Sequence, residues 1–217
     1  MDDRDAACAY AQADFSHSNQ AFVDDLLARI GEAPTHILDL GTGPADVPVR
    51  LARALPSVRV TAVDGSPAML EIARRTVRKA RLGARIELHP GRMPGLALPQ
   101  HAFDAVLCKD MLHHLPDPQV LWSEIKRLAR PGAAVYVMDL VRPSSPLEAR
   151  EIVERVAAAE HPLLKEDFYR SLCAAFTLEE LRAQVEAAGL GLEVARAGDR
   201  HMIAAGRLAE RSACATS

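Results

Sequence analysis

Three groups of residues in this 217-residue chain have the types and spacing to do chemistry. The first is Asp39-Leu40-Gly41-Thr42-Gly43. Here an apolar run ends in a carboxylate and breaks into two glycines, the pattern of a buried parallel strand that enters a tight turn and then a helix. Without a Cβ, Gly41 and Gly43 allow positive φ and let a ligand lie against bare backbone, while the helix beyond presents unpaired N–H groups. The second group is Asp64, which closes the apolar segment Val58 to Val63 at the downstream spacing of a carboxylate that accepts hydrogen bonds from a ribose. A Gly-rich turn with such an acid reads as a nucleoside site. It does not read as a dinucleotide site, because Asp46 stands where the third glycine of that fingerprint belongs. The third group is His113-His114, adjacent imidazoles in a loop after a strand, candidates for a base or for ligands. No third ligand stands at close spacing, so no metal is expected.

The elements that must position these groups follow from periodicity. From Ser18, the spacing of Phe22, Leu26 and Ile30 predicts a helix that stops at Gly31. Pro48 requires the helix after the glycine turn to start near Ala45 or Asp46; Val47, Leu51, Ala54 and Leu55 form its apolar face. Ser66-Pro67 opens the next helix, with Met69, Ile72, Ala73 and Val77 inward. Strands are predicted over Arg85 to His89, Phe103 to Cys108 and Ala133 to Leu140; the fourth delivers Lys109 to Leu115 at the carboxyl edge of the sheet, where open α/β sheets bind ligands. Asp117-Pro118 caps a helix with Leu121, Ile125 and Leu128 inward and Trp122 as packing. Ser145-Pro146-Leu147-Glu148 and Thr177-Leu178-Glu179-Glu180 read as capping boxes, with a further helix beginning near Leu163. In that helix Phe168 continues the stripe of Leu164 and Leu172, and Tyr169 lies off it with its hydroxyl toward substrate. Two strands, Leu192 to Ala197 and Arg200 to Arg207, form a hairpin about Gly198-Asp199.

These residues resemble the class I S-adenosylmethionine (SAM)-dependent methyltransferases. Asp39-Leu40-Gly41-Thr42-Gly43 is similar to their first motif and Val63-Asp64-Gly65-Ser66-Pro67-Ala68-Met69-Leu70 to their second. Phe103-Asp104-Ala105-Val106 with Leu112-His113-His114-Leu115 is similar to their fourth, and Arg130-Pro131-Gly132-Ala133 to the turn before their fifth strand. The ordered match covers roughly residues 36 to 140. The resemblance implies a doubly wound, Rossmann-like α/β fold with a seven-stranded sheet, strands 6 and 7 closing it as an antiparallel hairpin. N-terminal helices and a helical insertion after strand 5 are added to it. The implied cofactor is S-adenosyl-L-methionine, with S-adenosyl-L-homocysteine as product. Asp39, Gly41, Thr42 and Gly43 would surround its methionine part, and Asp64 with Gly65 and Ser66 its ribose. Met69 and Met93 would lie against adenine, and Lys109 or Asp110 near the amino-acid end. Where relatives carry an acid that accepts from the adenine amino group, Gly91 is followed by Arg92. An arginine accepts nothing, so backbone, stacking or Met93 must read the base.

Methyl transfer to an acceptor that arrives protonated calls for a base. The catalytic candidates are His114, His113 and Tyr10, and the substrate-binding candidates are His17, Asp139, Arg142, Tyr169 and His201. The expected organisation is a helical cap over residues 1–34, a SAM-binding domain over 35–208 with a lid insertion at 143–176, and a flexible tail at 209–217. Apolar content of 49%, charged content of 25% and a formal charge of −3 describe a globular chain with no electrostatic reason to bind nucleic acid. The acidic N-terminus and the absence of a long apolar run lead to the expectation of a cytoplasmic protein that does not enter membranes. Cys8, Cys108, Cys173 and Cys214 are far apart and read as reduced, structural residues. The favoured expectation is a small-molecule methyltransferase, monomeric or homodimeric. An RNA or protein methyltransferase and a non-catalytic SAM binder are the alternatives.

Overall fold

The computed structural model describes Tyr10 and residues 13–210. Five parallel strands, β1 (His36–Leu40), β2 (Arg59–Asp64), β3 (Ile86–Pro90), β4 (Phe103–Lys109) and β5 (Ala129–Leu140), are joined by β6 (Glu193–Ala197) and β7 (His201–Arg207) in a seven-stranded sheet. The order is β3-β2-β1-β4-β5-β7-β6, with β7 antiparallel to both β5 and β6. Chain reversal in the strand order between β1 and β4 places the ends of both at the edge where ligands bind in such sheets. In register, Leu38 faces Val106 on one side and Thr61 on the other.

Alternation along the strands divides the core in two. Leu38, Leu40, Val106 and Val135 pack with Leu121, Trp122 and Ile125 of α4 (Gln119–Leu128) and Leu181 of α7 (Leu178–Ala187). Ile37, Val60, Leu107 and Tyr136 pack with Phe22 and Leu26 of α1 (Ser16–Ile30), Leu51 of α2 (Asp46–Ala54) and Ala73 of α3 (Pro67–Ala80). Trp122 is fully buried, and its indole N–H donates to Gln184 Oε1 at 3.3 Å. Phe22 meets Tyr136 edge-on at 5.0 Å between centroids, so α1 shares the domain's core.

The insertion consists of α5 (Pro146–Val156) and α6 (Pro162–Ala174), which bury Ile152, Val153 and Leu172 in a small cluster of their own together with Leu140. Its ends meet at a neck. Val141 bridges Phe176, Arg142 N donates to Phe176 O at 2.9 Å, and the Arg142 guanidinium binds Glu180 at 2.6 Å.

Three local expectations are corrected. Strand five begins at Ala129 instead of Ala133, because Phe103 pairs with Ala129 across an irregularity before Ala105 pairs with Ala134. The Ser145 box closes on one side only: Ser145 Oγ accepts from Glu148 N at 3.2 Å, but the Glu148 carboxylate takes the N–H and hydroxyl of Ser144. The Thr177 box closes on both sides. Phe168 is half-buried at the edge of the insertion's cluster instead of fully inside it. Cys108 is buried and Cys173 exposed; Cys8, Cys214 and the tail beyond residue 210 lie outside the described residues, as does most of the segment before residue 13.

Candidate active site

The turn after β1 is built on the carbonyl of Val63, which accepts from both Gly41 N and Thr42 N at 2.9 Å. Three residues in this turn adopt left-handed φ, Gly41 at 80°, Gly43 at 53° and Ala45 at 64°, before α2 begins at Asp46. The two glycines differ in what they do. A Cβ on Gly41 would lie 2.6 Å from Met111 Cγ, so this position needs a bare backbone for packing, whereas a Cβ on Gly43 would meet nothing within 4 Å. Gly43 therefore faces open space. Asp64 laces this turn to the next: its Oδ2 accepts from Gly43 N and its Oδ1 from Ser66 N, both at 2.8 Å. Each oxygen retains a lone pair, so the carboxylate can still accept from a diol.

At the carboxyl edge these turns surround a cavity of 440 Å³ whose wall includes Gly41, Gly43, Asp64, Gly65, Ser66 and Met69, then Gly91, Arg92 and Met93, and then Lys109 and Asp110. Tyr10 and His114 complete it with Met111 and Leu115. Arg92 folds against the second turn, its Nε donating to Gly65 O at 3.2 Å. A second cavity of 270 Å³ shares Tyr10, Gly41, Gly43, Lys109 and Asp110 with the first, and is lined further by Asp39, Thr42, Asp46 and Arg50. The two are lobes of one site divided by those shared residues.

The second lobe holds buried polar atoms without a partner, Asp39 Oδ2 and Thr42 Oγ1. Burial raises the Asp39 carboxyl to about 6; Thr42 and Lys109 pull it down and Asp64 pushes it further up. Asp110, at a left-handed φ of 51°, is also buried, which by itself would raise its carboxyl. Lys109, in direct ion pair with it, and then His201, 3.4 Å away, hold it well below the usual carboxylate range instead. The Tyr10 phenol is pushed up by burial and then by Asp110 and Asp64. This favours the protonated phenol, a hydrogen-bond donor, at neutral pH.

The structure separates the remaining candidates. His114 lines the first lobe, while His113 is buried behind it and bound to Asp139. The other substrate candidates stand outside both lobes. His17 is exposed on α1, Arg142 is engaged at the neck with Glu180, and His201 acts on Asp110 from behind. Tyr169 lines neither lobe: its ring lies 4.0 Å under the Arg150 guanidinium, because α6 turns that face onto α5.

Residues that sequence reasoning missed include Asn19, Arg50 and Met111. Arg50 binds Asp46 at 2.6 Å and Asn19 donates to the same carboxylate at 2.9 Å. The four-residue spacing of Asp46 and Arg50 was a legible helical pair; nothing local marks Asn19. Among the described residues, no group of three His, Cys, Asp or Glu side chains is placed to hold a metal. No helix among the described residues is long and apolar enough to cross a membrane.

A parallel sheet in this order, closed by an antiparallel hairpin, with a two-lobed polar and apolar cavity on the glycine turn, is the arrangement that the resemblance to class I SAM-dependent methyltransferases implies. Residues 37–132 match a family described as "Methyltransferase domain". A demethylmenaquinone methyltransferase of Porphyromonas gingivalis is 33% identical over 114 residues, which are 52% of this chain and 46% of that protein. A ubiquinone biosynthesis O-methyltransferase of Xanthomonas oryzae pv. oryzae is 30% identical over 125 residues, 57% of this chain and 51% of that one. The chain thus spans about half the length of these relatives. A solved SAM-dependent methyltransferase from Aquifex aeolicus shares the fold over 94% of this chain and 98% of its own, with a TM-score of 0.69 at 19% identity.

Proposed function

We propose that this protein transfers a methyl group from SAM to a small, largely uncharged acceptor. The observation that carries the reading is the pair of lobes on the glycine turn. The first lobe offers Asp64 to a diol, with Met69 and Met93 in its wall for a flat base. The second offers the buried, unpartnered Asp39 carboxylate and Thr42 hydroxyl to an ammonium group. A nucleoside joined to an amino acid fits both. When bound, SAM supplies an electrophilic methyl carbon on a sulfonium already activated by its charge.

The chain's own residues then have three tasks. Gly43 leaves the space the ligand needs, and the Asp64 bonds to Gly43 N and Ser66 N hold both turns at one separation. Tyr10 lines both lobes, where an aromatic ring displaces water and so strengthens the polar contacts beside it. On the acceptor side, Met111, Leu115 and His114 present two apolar surfaces and one imidazole. That composition favours an apolar acceptor with a single ionisable hydroxyl or amine, and the quinone-pathway names of the relatives support a phenol-like one.

Titration calorimetry with SAM tests the cofactor, with micromolar-range binding expected and none sinking the reading. Incubating a metabolite extract with methyl-labelled SAM and searching by mass spectrometry for labelled products tests the transfer. Labelled RNA or protein in place of a small molecule would overturn the acceptor class.

A further inference from the structure

The acceptor-side histidines are not two alternatives for one role. We propose that Asp139 and His113 form a positioning pair that presents His114 to the acceptor as an uncharged imidazole, the base of the methyl transfer; this inference rests on the function proposed above.

The geometry begins at the end of β5. Asp139 is 1% exposed and accepts three hydrogen bonds, from Leu140 N at 2.6 Å, His113 N at 3.0 Å and His113 Nδ1 at 2.6 Å. A carboxylate only accepts, so Nδ1 carries the proton in that last bond. Main chain and ring of residue 113 are therefore both tied to a central strand. The single helical turn Leu112–His114 is held in one position by them, and α6 packs on the same turn. His114 follows at the end of this turn with its ring centroid 4.1 Å from that of His113, and it enters the cavity wall beside Met111 and Leu115.

Two imidazoles this close cannot both be cations without strong repulsion, so a proton held on one excludes it from the other. Asp139 decides which one holds it. Burial works against charge on His113, but the bond to Asp139 and its negative charge outweigh it and raise that imidazole. His114 is lowered first by lost hydration and next by His113, with Asp139 and Asp110 pulling weakly the other way. On α6 the charges are Lys165, Glu166, Asp167 and Arg170; Lys165 is engaged with Glu154 and Arg170 with Glu166. His114 thus keeps a lone pair at neutral pH. As the acceptor atom forms its bond to the methyl carbon and the carbon–sulfur pair returns to sulfur, the acceptor's proton passes to His114 and from there to water.

The test is a pH titration of histidine rings labelled at Cε1, followed by NMR, with His114→Gln used for assignment. In the wild type, the His114 signal is expected to titrate below the ordinary value of about 6.5 and that of His113 above it. In His113→Gln, which can still donate to Asp139, His114 is expected to move up by about one unit, a tenfold change in proton affinity. A wild-type His114 that titrates at or above the ordinary value overturns the proposal without any buried variant having to fold. So does a His114 signal unmoved in a folded His113→Gln protein. Calorimetry with SAM on the same samples separates the two levels. SAM bound with the titration unmoved overturns the pair alone, whereas SAM that fails to bind the wild type removes the methyl-transfer reading on which its chemical role depends.

Discussion

Asp39 shows how a single residue can be costly to the fold and useful to the site. It sits in a central strand, 3% exposed, with one oxygen unpartnered and its carboxyl raised from 3.8 to about 6. Because the folded state binds this proton more tightly than the unfolded one, the stability linked to it is fully present below 3.8 and is lost as pH rises through about 6. Above that, the buried charge costs about 3 kcal/mol by the linkage of pKa to free energy. An ammonium group in the second lobe would return much of it. Asp39→Asn should accordingly melt higher than the wild type at pH 8, lose that advantage near pH 4, and bind SAM more weakly by roughly 1.5–3 kcal/mol, the range for a bond to a charged group. Melting curves at the two pH values and calorimetry check this. A variant that is no more stable at pH 8 would show that Asp39 is already satisfied in the free protein.

The two glycines of the first turn extend the argument to neighbouring positions of one element. Both have left-handed φ, which costs a substituted alanine roughly 1–2 kcal/mol. Gly43→Ala adds no clash, so its loss of stability should stop there while SAM affinity falls at least tenfold, since the new methyl enters the ligand's space. Gly41→Ala drives its methyl against Met111 and should unfold at a clearly lower temperature. Full SAM affinity in Gly43→Ala would move the ligand off this turn.

At the scale of the element, the insertion helices pack chiefly on each other. Phe168 is half-buried beside Ile152 and Leu172, so Phe168→Ala should cost about 2 kcal/mol, below the 3–5 kcal/mol of a fully buried phenylalanine. Tyr169→Phe removes only a hydroxyl that lines neither lobe and leaves the ring under Arg150, so turnover and SAM affinity should stay as they are. Chemical denaturation measures the first and steady-state kinetics the second. A kinetic defect in Tyr169→Phe would return that residue to the substrate side.

Across the whole molecule, two large clusters brace the sheet, while α5 and α6 form a third around Leu140 and meet the rest at the neck and at the Leu112–His114 turn. Opening that small unit exposes far less apolar surface than opening the sheet. Native-state hydrogen exchange should therefore show amides of 146–174 opening at a lower free energy than those of β1, β4 and β5. The turn bearing His113 and His114 should keep its protection, because Asp139 anchors it to β5 independently of α6. Equal protection in the insertion and in β4 would show that the insertion is part of the central cooperative unit.

The sequence alone determined what depends on neighbours along the chain. The glycine turn, the strand ending in Asp64, the Ser66 and Thr177 caps and the apolar stripes of Phe22 to Ile30 and Leu121 to Leu128 are all recorded in spacings of a few residues. Those spacings reflect backbone sterics and the periods of helix and strand. Tertiary structure decided what depends on residues far apart. Asp139 meets His113 because β4 and β5 are adjacent, and Asn19 reaches Asp46 because α1 packs on α2. Tyr169 lies against Arg150 and outside both lobes because α6 folds back on α5, a choice that the stripe of Leu164, Phe168 and Leu172 does not contain. Periodicity tells which side of a helix is apolar, but the partner that covers it, and hence which polar side chains remain free to meet a ligand, is set only when the elements pack.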